Sequence, residues 1–521
     1  MGPWSRGLGW AAAALLIVGC GHPEGSTGAT GPLPAHDAGS TSAEPPRGDA
    51  GSVDAHREPT ADAGRADAGH GQVAATDAGH ADAGQGLPPA HDAGRATDAG
   101  RAMDAGRGMD ASQAMDAGGA TDAGPAAPPA LCRMAITCDK TIPNDPKITC
   151  TFTLADGAGV TEFDDHIGIE LHGRSSLTFP KKNYSIELHD AAGDDEATDL
   201  LGMGKESDWI LDGMWADRSL MRNALIFDAF RDLGGLHYAP KGRWCTLDLN
   251  GQPQGLYRVE EKIKRDDDRV VLTADDGTGK SFIIKQDSGG TATLSIGEES
   301  HWELVYPNQD KATSAQLAGV QTWLNALGKA LNSPTDPQIG LLTLLDRDAA
   351  VDWLLFEEMM KNIDAYNLSI HFSRDAGGLA RLIPWDFDLS LGQPTVSGDN
   401  SMPANDQPGG WIIHHTSLSK GLAAVPDIVQ RLGPRWREVR AGPLSDAALQ
   451  ARLDAYQVTL AADAVAQNFK IWPLAQINYT QTYAPYSLYP VTSYADEVSK
   501  LRAFLTARLA WMDAHVDGYP N

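Results

Sequence analysis

Two acids one residue apart, Asp386 and Asp388, follow an apolar run that ends at Pro384-Trp385. Carboxylates on a short turn suit a hard divalent cation. Magnesium takes oxygen ligands and leaves positions open for water and phosphate oxygens. Taken alone, the same residues also make an exposed Asp-rich turn. A third acid lies upstream in Lys361-Asn362-Ile363-Asp364-Ala365-Tyr366-Asn367. An Asp followed shortly by an Asn, ahead of a metal-binding Asp, is suited to orienting a hydroxyl and completing a cation's ligands. Helix C-cap chemistry is the plainer reading of that segment.

Phosphate-binding chemistry has two further candidates. Gly173-Arg174-Ser175-Ser176 is a turn of small hydroxyl residues beside an arginine, and Phe179-Pro180-Lys181-Lys182-Asn183-Tyr184 brings two lysines to a strand start. In Glu260-Glu261-Lys262 an acid at a strand end is placed to fix a phosphate-binding lysine or meet a nucleotide. A polar hairpin turn and surface charge are the competing readings. Residues 274–281, Ala-Asp-Asp-Gly-Thr-Gly-Lys-Ser, imitate a P-loop but lack its first glycine. Asp275 and Asp276 repel phosphate, and a strand follows where the motif needs a helix. His414-His415 receive no role, because no carboxylate pattern accompanies them.

The elements that position these residues are legible from periodicity. Ile167–His172 and Tyr184–Leu188 read as strands, the second with Tyr184, Ile186 and Leu188 alternating against polar neighbours. Residues 219–233 read as a helix stopped by Gly234-Gly235. Cys245, Leu247 and Leu249 lead into Asn250-Gly251 and return through Leu256–Glu261, a hairpin signal. Residues 348–361 form another helix, followed by a strand near Leu368–Ser373, a turn at Asp375–Gly378 and a strand into Trp385. The last 80 residues read as helical. Strands first and helices after imply an α+β fold, a mixed sheet followed by a helical C-terminal part.

Composition sets the boundaries. Residues 21–130 carry eleven Asp-Ala-Gly triplets and almost no large apolar side chains, so they cannot bury a core and read as a disordered spacer. The 521-residue chain has a formal charge of −27, which argues against a broad nucleic-acid surface. At the N-terminus Arg6 precedes the nine apolar residues Trp10–Val18, too few to span a bilayer and suited to a secretory signal. Ile17-Val18-Gly19-Cys20 resembles the lipobox of bacterial lipoproteins, with Cys20 as the lipidated residue. The expected division is therefore a lipoprotein signal at 1–20, a linker at 21–130 and one folded domain at 131–521. The protein is expected to be exported and tethered to the outer membrane or cell surface through lipid alone. Cys132, Cys138, Cys150 and Cys245 remain; in an oxidising compartment they are disulfide candidates, with at least one bridge expected among the first three.

Taken in order, the motifs resemble the CotH family, the spore-coat protein H kinases. The resemblance runs through Leu171–Ser176, Phe179–Tyr184, Leu200–Met203, Asp208–Leu211, Ser219–Asn223, Tyr238–Pro240, Leu249–Gly251, Gly255–Tyr257 with Glu261-Lys262, Lys361–Asp364 and Trp385–Asp388, and covers about 131–518. It implies an atypical, two-lobed, protein-kinase-like fold that transfers phosphate from ATP to serines of partner proteins with Mg or Mn. It implies that Asp364 is catalytic and that Asp386 and Asp388 bind metal, with Asn367 as a further metal ligand. It also implies that Lys182, Lys181, Arg174 and Ser175 hold phosphates and that Glu261 positions a lysine or meets the nucleotide. The usual family turn is Arg-Gly-Asn-Ser, whereas here Arg174 stands where a neutral Asn often sits. The alternative is a non-catalytic surface or envelope protein that keeps the fold for binding, which the scarcity of ATP outside the cytoplasm favours.

Overall fold

Alternating burial along the first strands requires a sheet that hides one face. In β1 (Cys132–Thr137) every second side chain is buried, and β2 (Ile148–Ala155) and β3 (Thr161–His172) continue the pattern antiparallel to it. The computed structural model describes residues 131–520 except 236, 288–293, 297–301, 397–404, 413–415 and 479–485. Cys20, the linker at 21–130 and His414-His415 lie outside the described residues.

β4 (Asn183–His189) and β7 (Asp208–Asp212) extend the sheet, with β5 (Thr198–Asp199) and β6 (Lys205–Glu206) forming a small ribbon between them. β8 (Gly242–Leu249) and β9 (Gln252–Glu261) form the expected hairpin. Its two-residue turn has Asn250 at φ 55° and Gly251 at φ 74°, both in the left-handed region that the tight hairpin turn requires. β1 lies parallel to β8, which closes a seven-stranded barrel in the order β1-β2-β3-β4-β7-β9-β8. Its interior is filled by Phe152, Ile167, Ile186, Trp209, Leu247, Tyr257 and Val259 among others. Two disulfides staple it: Cys138–Cys150, the bridge expected among the first three cysteines, and Cys132–Cys245 across the closing seam. Sequence periodicity implied a mixed sheet and did not reveal closure, which depends on pairing strands more than a hundred residues apart.

The remaining chain builds a second sheet and its helical cover. β10 (Phe282–Gln286), β11 (Trp302–Tyr306), β12 (Ile370–Arg374) and β13 (Arg381–Ile383) form an antiparallel sheet in the order β11-β10-β12-β13. α2 (Ser314–Asn332) packs on it through Trp323, whose ring lies 5.1 Å from Phe282 and 5.6 Å from Phe372. α1 (Arg222–Arg231) starts three residues later than periodicity implied, because the Asp217 carboxylate accepts the backbone N–H groups of Ser219 and Arg222. α3 (Arg347–Met360), capped by Asp346, is buried on every side from Ala349 onward. It packs against α5 (Pro426–Arg440) and α9 (Tyr494–His515), while α4 (Ser417–Ala424) lies on α2 and α5, α6 (Asp446–Leu460) on α1 and α9, α7 (Ala462–Ile471) on β9 and α8 (Leu474–Asn478) beside a late strand. A short ribbon of β14 (Pro394–Val396) and β15 (Tyr486–Leu488) completes the architecture, which is α+β. Among the described residues no helix is long and apolar enough to cross a membrane.

Candidate functional site

The segment after β13 alternates between anchoring and exposing its side chains. Trp385 stacks on Phe227 of α1 at 6.2 Å, and Phe387, fully buried, meets the same ring edge-on at 6.5 Å. Asp386 and Asp388, interleaved with them, line a cavity of about 420 Å³. Asp386 has φ 62°, a left-handed conformation that a non-glycine residue keeps only when its surroundings impose it. The surroundings here are specific. Asn223 Oδ1 accepts the Phe387 N–H at 2.8 Å, and Ser369 Oγ donates to Asp386 Oδ2 at 3.2 Å. Gln393 Nε2 donates to Asp388 O at 3.1 Å, and Arg222 Nε to Ser390 O at 2.9 Å. The run Ser219–Asn223 thus acts as a clamp on the acid loop. Arg222 is itself fixed by buried Asp217 and Glu497 at 2.7 and 2.8 Å.

α3 ends at Lys361, left-handed at φ 48°, and the chain turns so that Asp364 faces the same cavity. The Asp364 carbonyl accepts the N–H groups of Asn367 and Leu368, a tight turn that leaves Asn367 exposed and outside the cavity lining. The metal role expected for Asn367 is therefore not supported by its position. Arg174 and Ser175 do line the cavity, on the turn after β3. Gly173 opens that turn at φ 101°, where an added Cβ would lie 1.9 Å from Ser176 Oγ, so only glycine fits.

The two lysines expected at the phosphates point elsewhere. Lys181 is buried, donates to Leu256 O and Asn468 Oδ1, and sits over the Tyr257 ring. Lys182 Nζ donates to Leu177 O at 2.6 Å, holding the turn rather than facing the cavity. Glu261 is fully buried; it accepts the Lys241 N–H at 2.9 Å and the Tyr238 hydroxyl at 3.2 Å. Strand alternation instead turns its neighbours Glu260 and Lys262 toward the cavity.

Sequence reasoning missed the cavity's other charges Glu170, Asp212, Lys285 and Asp287, and within Glu260-Glu261-Lys262 it chose Glu261 rather than the two neighbours that line the cavity. Lys285 lies on β10 opposite His371 of β12. Its Nζ is 3.0 Å from Glu303 and 3.7 Å from Asp287, and Arg174 reaches the same two acids at 2.5 and 3.8 Å. Lys262 is the most open of the three cations, 3.9 Å from Asp208. A lysine ending a short apolar strand was the only signal for Lys285.

Burial dominates the electrostatics. It pushes the Asp364 carboxyl up to about 7, with Asp386 adding repulsion, and Glu260 up to about 7 against the pull of Arg258. Asp386 rises to about 6 through burial, offset by hydrogen bonds from Ser369 and Asp388. Asp388 is driven well above the carboxylate range by burial and then by Asp386, and Asp212 is raised by burial. His172 and His371 are held down to about 4 and about 3 by burial and the adjacent lysines, so both stay neutral. Buried carboxylates this close together cannot all carry a negative charge without compensation. Asp386 adds to the burial that raises Asp388, so a cation held by the pair would relieve the repulsion between them. With Asp364 they do not form a cluster of three ligands; among the described residues the one group of three ligand side chains close enough to share an ion is Glu187, His189 and Asp195. Glu187 there is already paired with Lys147 at 2.9 Å. Two carboxylates with open remaining positions fit magnesium, which relies on water and phosphate oxygens for its other ligands.

A family profile described as CotH kinase protein matches residues 169–512. The chain is also similar to the inner spore coat protein H of Bacillus subtilis (strain 168), 25% identical over 235 residues. That alignment covers 44% of this chain and 59% of the relative's length.

Proposed function

The chain belongs to the CotH kinase protein family, and from that premise we propose that it is an atypical protein kinase transferring the γ-phosphoryl group of ATP to serine hydroxyls. The observation that carries this reading is the convergence of Asp364 with the Asp386–Asp388 pair on one cavity that also contains Arg174, Lys262 and Lys285. The barrel with the β10–β13 sheet and the helices around α3 correspond, in this reading, to the two lobes of a kinase-like fold.

Asp386 and Asp388 would hold Mg²⁺ or Mn²⁺, which supplies neutralising charge for the phosphate oxygens. Lys285, Lys262 and Arg174, which line the same cavity, bind the phosphates in place of the lysine pair Lys181-Lys182. Phosphate oxygens would replace Glu303 and Asp287 as partners of Arg174 and Lys285. Asp364 orients the serine hydroxyl and accepts its proton. The serine oxygen then bonds to the γ-phosphorus, the bond to the β-phosphate bridging oxygen breaks, and ADP leaves. Neutral His172 and His371 keep the walls free of additional charge. Positioning and charge neutralisation provide most of the catalysis in such a transfer.

The protein's place outside the cytoplasm is part of the same proposal. Two disulfides in one barrel support an oxidising compartment, and Cys20 would carry the lipid that holds the domain at the outer membrane or cell surface. Its partners would be proteins with exposed serines.

Nucleotide binding is tested by thermal unfolding with ATP and Mg²⁺. A nucleotide at 100 times its dissociation constant should stabilise the fold by about 2.7 kcal/mol. No shift with any nucleotide would favour the non-catalytic binding protein.

A further inference from the structure

Asn362 stands between the two acids on which the proposed chemistry depends. The residue is 2% exposed. Oδ1 accepts the backbone N–H of Asp364 at 3.2 Å. Nδ2 donates to the backbone carbonyl of Asp386 at 3.3 Å and to Glu357 Oε2 at 3.3 Å. The amide orientation follows from these partners, because one is a donor and two are acceptors.

A helix C-cap does not account for this arrangement. Lys361 already occupies the left-handed position that ends α3, and its own N–H bonds to Glu358 O. The Asn362 amide satisfies no carbonyl of the helix. Its bonds run forward to Asp364 and across 24 residues to Asp386, with buried Glu357 behind it. Asp386 needs such support, since its left-handed backbone is held on the N–H side of the next residue by Asn223 and on its own carbonyl by Asn362.

We propose that Asn362 is a positioning residue that sets Asp364 and Asp386 in register, with Glu357 fixing the rotamer of its amide. The inference rests on the phosphotransfer reading above and extends it to a group that touches neither nucleotide nor acceptor. Losing an outer partner of a metal-binding group typically costs about 10–100-fold in metal affinity or activity.

The test uses the full chain and Mn²⁺, followed by the electron paramagnetic resonance of the free ion, with phosphate transfer measured in parallel. Asn362→Ala should weaken Mn²⁺ binding by about 10–100-fold and lower transfer comparably, at temperatures where circular dichroism shows it folded. Glu357→Gln keeps the acceptor for Asn362 and should match the wild type within about threefold, whereas Glu357→Ala should fall in the same direction as Asn362→Ala. Glu357→Ala also serves as the reporter if Asn362→Ala does not fold. Equal Mn²⁺ affinity in the wild type and Asn362→Ala overturns the positioning role, since a purely structural residue lowers stability without changing affinity per folded molecule. A wild type that binds Mn²⁺, loses that binding in Asn362→Ala and transfers no phosphate overturns the kinase reading and supports the role of Asn362. No Mn²⁺ binding by the wild type overturns both.

Discussion

Asn223 Oδ1 accepts the backbone N–H of Phe387 at 2.8 Å across 164 residues of sequence. The first turn of α1 therefore carries the loop that holds Asp386 and Asp388. Asn223→Ala should leave a buried N–H without its acceptor, costing about 1–3 kcal/mol of stability. It should also lower transfer per folded molecule, because the acid loop loses its fixed point. Denaturant midpoints and transfer rates on the same preparation check both expectations; unchanged values in each would remove Asn223 from the clamp.

Arg222 sits beside it with no exposed surface, between Asp217 and Glu497. Arg222→Ala leaves buried Asp217 without its counter-charge and Glu497 with Arg218 alone, and the expected loss is about 3–5 kcal/mol. A urea titration reads this directly. A loss below about 1 kcal/mol would mean that Arg218, also in contact with Glu497 at 3.2 Å, compensates on its own.

The two disulfides should differ in their contribution. Cys138–Cys150 closes a separation of 12 residues and Cys132–Cys245 one of 113. In the chain-entropy account the shorter is worth about 3 kcal/mol and the longer nearer about 5 kcal/mol. Unfolding of Cys138→Ser/Cys150→Ser and Cys132→Ser/Cys245→Ser variants compares them. Equal losses would point to native-state contacts rather than chain closure.

Proton and cation should compete at the acid pair. The carboxyls of Asp386 and Asp364 are pushed up to about 6 and about 7, chiefly by burial. Their folded values exceed the unfolded ones, so the stability they contribute is complete below about pH 4 and is lost as pH rises through about 6 to 7. A divalent cation replaces the departing protons. The Mg²⁺-induced rise in melting temperature should therefore be larger at pH 8 than at pH 5. A rise independent of pH would place the cation elsewhere.

The legible part of this protein was its local chemistry. Asp364, Asp386, Asp388, Arg174 and Ser175 stand out as motifs because their neighbours fix their conformation, and all five line one cavity. The hairpin at Asn250-Gly251 and the α3 helix were equally plain, since turn chemistry and apolar periodicity act over a few residues. Parity within buried strands was not legible. β9 is buried along both faces from Gly255 to Glu261, so its pattern could not tell Glu260 from Glu261. Lys181 and Lys182 looked like a phosphate clamp, but one is drawn inward by Leu256 and Asn468 and the other folds back onto Leu177. Lys285 gained its place only when β10 paired with β12, and the barrel closed only when β1 met β8. These are contacts between distant segments, which spacing along the chain does not encode.

Phosphate transfer tests the central claim most directly. Wild-type protein, Asp386→Ala and Asp364→Asn are incubated with γ-labelled ATP, Mg²⁺ or Mn²⁺, and a serine-rich acceptor. Incorporation into the acceptor or the protein itself is then counted. The wild type should label, Asp386→Ala should fall by at least about 100-fold while remaining folded, and Asp364→Asn should bind ATP but fail to transfer. Equal incorporation by the wild type and Asp386→Ala would contradict the site, and no incorporation by any of the three would contradict the kinase reading.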